Sequence, residues 1–263
     1  MPVVVENLAC LVPAMREAGD AIMQIKQKGV SARYKADASP VTQADMAAEA
    51  ILTAALSKYF PDIPVISEEN TQSHNTAPSA CYFLVDPLDG TREFIRADSK
   101  GAFTVNIGLI EGGRATGGLV FAPALDWLCW TQSPLKAVQI RAGRQSSLSV
   151  RQLPETGPVA LASRSHRDPK TDAFLEMHHI KQTIATGSSL KFIYLAAGEA
   201  DIYPRFGPTM EWDTAAGEAI LSAAGGAVFD TEGKAHHYGK AGWKNGPFIA
   251  CAGFQPQARE SKP

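Results

Sequence analysis

Residues 82–91 read Tyr82-Phe83-Leu84-Val85-Asp86-Pro87-Leu88-Asp89-Gly90-Thr91. An apolar strand runs straight into Asp86, a carboxylate that would be partly desolvated there unless paired or bound to a metal. Pro87 fixes a turn, Asp89 follows three residues after Asp86, and both carboxylates can then converge on one point. Gly90 lets a ligand approach the backbone closely. Thr91 can open a short helix whose free N–H groups suit a phosphate. Oxygen donors with no His or Cys partner suit a hard cation, Mg²⁺ or Mn²⁺, better than zinc. An Asp-Pro turn followed by an Asp-Gly turn would explain the same residues without any ligand.

Three more acidic clusters lie outside this stretch: Asp37 and Asp45 around Ser39-Pro40-Val41-Thr42, Glu68-Glu69 after a strand, and Asp213 at an expected helix start. Each has a plainer explanation. Glu68-Glu69 reads also as a solvated surface pair, and Asp213 as an N-cap or a first-turn acid favoured by the helix dipole.

The periodicity around these clusters predicts a helix from Val3 to Lys28, with Leu8, Val12, Met15, Ile22 and Ile25 near helical spacing and Gly29 as its stop. A second helix begins after Thr42 as N-cap, with Asp45 in the capping-box position and Met46, Ala50, Ile51 and Leu56 on one face. From Ile63 the period shortens to that of strands: 63–66, 81–85, the alternation of Phe103, Val105, Ile107 and Leu109, a Gly112-Gly113 hairpin, then 127–131 and 137–141. After a Gly, Pro and Ser-rich stretch at 145–158, strands at 159–162, 183–186, 201–203, 227–229 and 248–251 alternate with helices at 170–178, 188–197 and 213–224. This predicts an α+β first portion, 1–145, and an α/β second portion, 146–263.

The chain has 263 residues, 25 Lys plus Arg against 27 Asp plus Glu, and 45% apolar residues, an ordinary globular composition. A net charge of −2 gives no basic field for a nucleic-acid polymer. Cys10, Cys81, Cys129 and Cys251 form no C-x-x-C pair and read as reduced core thiols. No apolar run reaches the roughly 18 residues of a membrane span, and no basic n-region opens the chain. The expectation is a cytoplasmic protein, monomer or homodimer. His178-His179 and His236-His237 lack metal-ligand spacing and are expected at the surface.

At this point the motifs carry a resemblance. DPLDGT at 86–91, with SEE at 67–69 and WDTAAG at 212–217, resembles the signature set of the inositol monophosphatase superfamily of Mg²⁺-dependent, lithium-sensitive phosphatases. SPVTQAD at 39–45, DPLDGTREF at 86–94, FTVNIGLI at 103–110, SRSH at 163–166, GSSLKF at 187–192 and YPRFGPT at 203–209 are similar to the CysQ-type 3′(2′),5′-bisphosphate nucleotidases. The match runs in order from about Lys35 to Gly226.

The resemblance implies an αβαβα layered sandwich and a set of residue roles. Glu68, Asp86 and the carbonyl of Leu88 would hold one Mg²⁺, and Asp86, Asp89 and Asp213 a second, with Asp86 bridging; Mn²⁺ could substitute. Two ions about 3.5–4 Å apart can clamp the attacking and leaving oxygens of an in-line displacement. Glu68 and Thr91 would orient and deprotonate the attacking water, and Asp45 would act one shell out, on a weaker third ion at the Lys35 to Thr42 turn. Gly90 and Thr91 would hold phosphate oxygens. Ser188, Lys191 and Arg205 would take the 5′-phosphate or ribose, and His166 the base or sugar, so that Leu88, Asp89, Gly90, Thr91 and Asp213 line the rest of the substrate site.

The implied reaction is hydrolysis of the 3′-phosphate of adenosine 3′,5′-bisphosphate to AMP, and of 3′-phosphoadenylyl sulfate to adenylyl sulfate, in sulfur metabolism. An inositol or sugar phosphatase with the same metals and another pocket is the alternative. A non-catalytic metal or nucleotide sensor is the alternative of another class. Some relatives sit at the cytoplasmic face of the inner membrane, a location the sequence itself does not signal.

Overall fold

The computed structural model describes residues 4–29, 32–34, 40–96, 101–163 and 168–252. The first helical stretch is not one helix. Val4–Asn7 (α1) passes through a 3₁₀ turn at Leu8–Leu11 before Val12–Lys28 (α2) begins. Pro13 explains the break, since it has no N–H to give and is tolerated only in the first turn of a helix. Leu8, Leu11, Met15 and Ile22 are fully buried, whereas Val12 and Ile25 are only partly so.

A short antiparallel pair, Ala32–Tyr34 (β1) with Pro40–Thr42 (β2), leads to Gln43–Tyr59 (α3). Its capping box is present: the Thr42 N–H donates to Asp45 Oδ2 at 2.7 Å, and the Thr42 hydroxyl accepts from the Ala44 N–H at 3.1 Å. That box also sets the rotation of α3 and corrects the expected face. With Asp45 turned inward, Ala44, Ala48, Leu52 and Leu56 face the core, while Ala50 is exposed and Met46 is 66% exposed.

Val65–Ser67 (β3), Cys81–Asp89 (β4), Thr104–Glu111 (β5), Arg114–Ala122 (β6), Trp127–Ser133 (β7), Lys136–Arg141 (β8) and Arg144–Ser147 (β9) form a seven-stranded sheet in sequence order. Only the β3–β4 pair is parallel; the others form an antiparallel meander. β9 occupies the start of a stretch expected to be irregular. The helix Thr91–Ile95 (α4) follows β4 directly. The Asp86–Asp89 turn is also corrected: it is a bulge inside β4, where Asp86 faces Asn106 and Asp89 faces Thr104, so that three residues advance against two. Pro87 is tolerated there because a bulge does not need its N–H.

The second half contributes Val159–Ser163 (β10), Pro169–Met177 (α5), Gln182–Thr186 (β11), Leu190–Ala196 (α6), Ile202–Arg205 (β12), Thr209–Met210 (β13), Ala215–Ala223 (α7), Ala227–Asp230 (β14), Lys244–Asn245 (β15) and Phe248–Cys251 (β16). Its main sheet has the order β11-β10-β12-β16-β14, and β13 pairs with β15. Asp201 ties the linker to this sheet, accepting from Arg151 Nε at 2.9 Å and from the Val159 N–H at 2.7 Å.

The layers run α2 and α3, the seven-stranded sheet, α6 and α7, the five-stranded sheet, then α5, which is the expected αβαβα sandwich. One core fills the space between α2, α3 and the first sheet, with Phe83, Val105 and Ile107; another joins both sheets through α6 and α7, with Trp127, Phe192 and Phe248. Helix α7 lies so close to β5 and β6 that only glycine fits beneath it. A Cβ on Gly108 would stand 2.5 Å from the Ala215 Cβ, and one on Gly118 2.3 Å from the Ala216 carbonyl oxygen.

All four cysteines are free thiols, Cys129 and Cys251 buried, Cys10 and Cys81 half-buried. Among the described residues no helix is long and apolar enough to cross a membrane.

Candidate active site

The β3–β4 pairing continues one residue past β3, the Glu68 N–H donating to the Val85 carbonyl at 3.0 Å, so Glu68 arrives beside Asp86. Inside the bulge, Asp86 Oδ1 accepts from the Leu88 N–H at 3.0 Å, which fixes that carboxylate at the end of the apolar strand. Asp213 closes a 3₁₀ turn, Glu211–Asp213, two residues before α7, and its Oδ2 accepts from the Met210 N–H at 2.8 Å. It was expected within the first turn of a helix. Glu68, Asp86 and Asp213 each offer an oxygen, and these oxygens lie within 4.8 Å of one another. Asp89 is turned toward the second half, its Oδ2 accepting from the Ser189 N–H at 2.6 Å.

Asp45 is 1% exposed and sits behind this cluster. Its Oδ1 is 3.2 Å from the Thr91 hydroxyl, which is also 3.2 Å from the Leu88 carbonyl. Gly90, between the acids and α4, has φ +88, and a Cβ there would meet the Ala102 carbonyl at 3.0 Å. It is therefore a position for glycine on both counts.

The electrostatics are those of a site short of positive charge. Burial, then Glu68, Asp89, Asp213 and Asp45, push the Asp86 carboxyl well above its ordinary range. Burial, then Asp89 and Glu68, do the same to Asp213, against the Met210 N–H and Arg205. Asp89 is pushed up to about 7 by burial, held back first by Lys191 and then by the Ser189 N–H. Burial likewise raises Asp45, against its bonds from Thr42. Carboxylates crowded in a dry corner favour their protonated forms unless cations are supplied.

Glu68, Asp89 and Asp213 line an open cleft of about 570 Å³, and Ser188, Lys191, Tyr203 and Arg205 line it as well. Lys191 is not a solvated helical lysine: it is 5% exposed, donates to the Ser188 carbonyl at 2.7 Å and lies 5.0 Å from the Tyr203 ring centroid. Burial lowers its pKa to about 8, with Asp89 opposing that shift most strongly. Arg205, at the end of β12, donates from Nη2 to the Pro208 carbonyl at 3.1 Å, while its Nε and the Ser188 hydroxyl have no hydrogen-bond partner among the described residues. His166 and the Lys35 to Ser39 part of the N-terminal turn lie outside the described residues.

Several residues here escaped the sequence reading. Ser189, Thr104 and Asn106 are buried around Asp89, because the face of β5 opposite Val105 and Ile107 is covered by the α6–α7 layer rather than by solvent. His236 corrects an expectation of surface exposure: it is 6% exposed, with Nδ1 2.7 Å from Glu218 Oε2, and the Tyr238 hydroxyl donates to the same oxygen at 2.6 Å. His236 and Tyr238 thus lie against the start of α7. His237 and His179 are exposed, and His178 is half-buried. The chain from 239 to 245 braces the turn carrying Asp213. Asn245 Nδ2 donates to the Met210 carbonyl at 2.8 Å and to the Thr214 hydroxyl at 3.0 Å, and Glu211 accepts from the Gly239 and Lys240 N–H groups, both at 2.9 Å.

Comparison with known proteins gives this architecture its relatives. A relative named 3′(2′),5′-bisphosphate nucleotidase CysQ in Salmonella typhimurium is 45% identical over 226 residues, 85% of this chain and 90% of that protein. Its namesake in Escherichia coli K12 is 43% identical over the same shares of each chain. Among solved structures, CysQ from Bacteroides thetaiotaomicron, described as a bacterial member of the inositol monophosphatase family, superposes with a TM-score of 0.81 at 31% identity, covering 96% of this chain and 99% of that one. A model of the inositol monophosphatase family matches residues 4–260, and on this evidence the chain belongs to that family.

Proposed function

We propose that the protein is a cation-dependent phosphatase that removes the 3′-phosphate from a 3′,5′-bisphosphate nucleotide, adenosine 3′,5′-bisphosphate first and its sulfated form, 3′-phosphoadenylyl sulfate, second. The observation that carries this reading is the pairing of two chemistries in one cleft. Carboxylates suited to cations stand on one side, and Lys191 and Arg205, with the unpartnered Arg205 Nε and Ser188 hydroxyl, stand ready for a second, non-reacting phosphate. An inositol monophosphate has no second phosphate for those groups. The names of the relatives support the same choice.

The donor set fits hard divalent ions: every polar side chain in the cluster offers only oxygen, and Asp86, Asp89 and Asp213 stay raised, the last two even against Lys191 and Arg205. We assign Glu68, Asp86 and the Leu88 carbonyl to one Mg²⁺ and Asp86, Asp89 and Asp213 to a second. Bound there, such ions supply charge neutralisation for the phosphoryl oxygens and a lowered pKa for water. The chain's own residues do the rest. Thr91, hydrogen-bonded to Asp45, orients the attacking water and passes its proton toward that buried carboxylate, whose raised pKa makes it a better base near neutral pH. Gly90 and Thr91 present backbone N–H groups to phosphate oxygens, and Ser188, Lys191 and Arg205 hold the far phosphate or ribose. Water attacks phosphorus directly, since the sequence shows no nucleophilic Cys or Ser motif accompanying the acidic segments.

A phosphate-release panel of bisphosphate nucleotides and inositol phosphates with Mg²⁺ tests this reading. Preference for adenosine 3′,5′-bisphosphate is expected; faster release from inositol monophosphate would replace it with the inositol phosphatase alternative, and no release from any substrate with the sensor.

A further inference from the structure

Ser189 is the N-cap of α6, yet its hydroxyl makes no cap bond. Serine at that position ordinarily accepts from the second or third helical N–H. Here the hydroxyl donates to Asn106 Oδ1 at 2.6 Å, and Thr104 Oγ1 lies 2.8 Å from it. A carbonyl oxygen can only accept, so the Ser189 proton is committed to Asn106 and the Thr104 hydroxyl must donate to Ser189. The direction of the whole chain is thereby fixed. All three residues are at most 1% exposed.

The chain reaches the acids from two sides. The Ser189 N–H donates to Asp89, and across the β4–β5 ladder Thr104 is the partner of Asp89 and Asn106 the partner of Asp86. Between those two rungs β4 bulges, which is where a strand alone holds its side chains least firmly. Asn106 Nδ2, buried, has no hydrogen-bond partner among the described residues. Half-satisfied buried amides are rare in folded proteins and mark sites with a use for the spare donor.

We propose that Thr104, Ser189 and Asn106 are positioning residues that hold Asp89 in the geometry needed for the second cation, at the cost of the α6 cap. This inference rests on the two-cation reading above. The hydroxyl chain locks the Ser189 backbone, the Ser189 N–H locks Asp89, and the bulge is bridged from the second half of the molecule.

The test compares two buried, near-isosteric substitutions. Thr104→Val breaks the chain, and Thr131→Val removes another fully buried hydroxyl, one with no hydrogen-bond partner among the described residues. Ser189→Ala is the second variant within the chain. Mn²⁺ binding is followed by electron paramagnetic resonance and calorimetry, without substrate, and the melting temperature is recorded in chelator. The expected result is two ions on the native protein and on Thr131→Val, with one ion at least tenfold weaker on Thr104→Val and Ser189→Ala. Native affinity in both chain variants would overturn the positioning role, as would an equal weakening in Thr131→Val. A native protein that bound no Mn²⁺ would overturn the cation reading and this inference with it, an outcome distinct from variants that bind like the native chain.

Discussion

The Thr91 hydroxyl lies 3.2 Å from Asp45 Oδ1, while Asp45 Oδ2 accepts at 2.7 Å from both the N–H and the hydroxyl of Thr42. One carboxylate thus caps a helix with one oxygen and addresses the cleft with the other. Asp45→Asn keeps a capping acceptor but removes the base, so kcat should fall by roughly 10²–10⁴ with little change in melting temperature. Thr91→Ala should cost a similar factor, and the double variant little more than either alone, because the two act as one unit. Additive losses in single-turnover measurements would separate them.

Asp86→Asn should abolish activity and raise the melting temperature of the cation-free protein. Asp86 is buried among Glu68, Asp89, Asp213 and Asp45, all of which disfavour its charge, and an amide relieves that repulsion while still accepting from the Leu88 N–H. Thermal melts in chelator, beside phosphate-release assays with Mg²⁺, check both halves.

Without cations, stability should decline as pH rises from about 4 to about 7. The Asp89 carboxyl is raised from 3.8 to about 7 in the folded state, and Asp86 and Asp213 are raised as well. Between the unfolded and folded values the native protein holds more protons than the unfolded chain, and deprotonation therefore favours unfolding. Mg²⁺ should reverse the trend, and its stabilising effect should grow across the same window. A melting temperature in chelator that climbs between pH 4 and pH 7 would contradict the crowding of these acids.

Arg205→Ala should raise KM for a bisphosphate nucleotide by about 10–100-fold, the worth of a charge-assisted hydrogen bond, while leaving hydrolysis of a small sugar phosphate nearly unchanged. Lys191→Ala should not be so selective. Lys191 is the main group lowering the pKa of Asp89, so its loss should also move the acid limb of the pH–rate profile upward. Profiles for both variants on two substrates distinguish these cases.

Gly118→Ala should lower stability by more than the ~1–3 kcal/mol of ordinary overpacking, because the new Cβ would meet backbone, 2.3 Å from the Ala216 carbonyl oxygen. Asp213 lies just upstream of α7, so activity should fall too. Gly246→Ala, with open space around it and no left-handed backbone, is the control for glycine loss alone.

The acidic residues were legible in the sequence because each stands where a local rule makes it conspicuous: Asp86 after an apolar run, Asp45 in a capping box, Asp89 before a glycine. Their supports were not. Thr104 and Asn106 alternate with Phe103, Val105 and Ile107 in the pattern of a strand with one wet face, and only the layer of α6 and α7 above them makes that face dry. His236 was misjudged for the same reason, since nothing local marks its contact with Glu218. Met46 is apolar yet faces solvent, because Asp45 in the capping box turns inward and sets the rotation of α3. Local chemistry marked the acids; long-range burial decided what surrounds them.

Helix α7, wedged between two sheets on the glycines of β5 and β6, has a consequence for the order of events during synthesis. A ribosome that has released residues 1–147 has delivered every strand of the first sheet, and with them Asp45, Glu68, Asp86 and Asp89. The shallow track at Gly108 and Gly118 stays vacant until residues 213–223 emerge and dock, carrying the last carboxylate with them. A nascent or truncated chain therefore holds an unfinished cage, and the ability to cut phosphate esters begins only when that helix closes the sandwich.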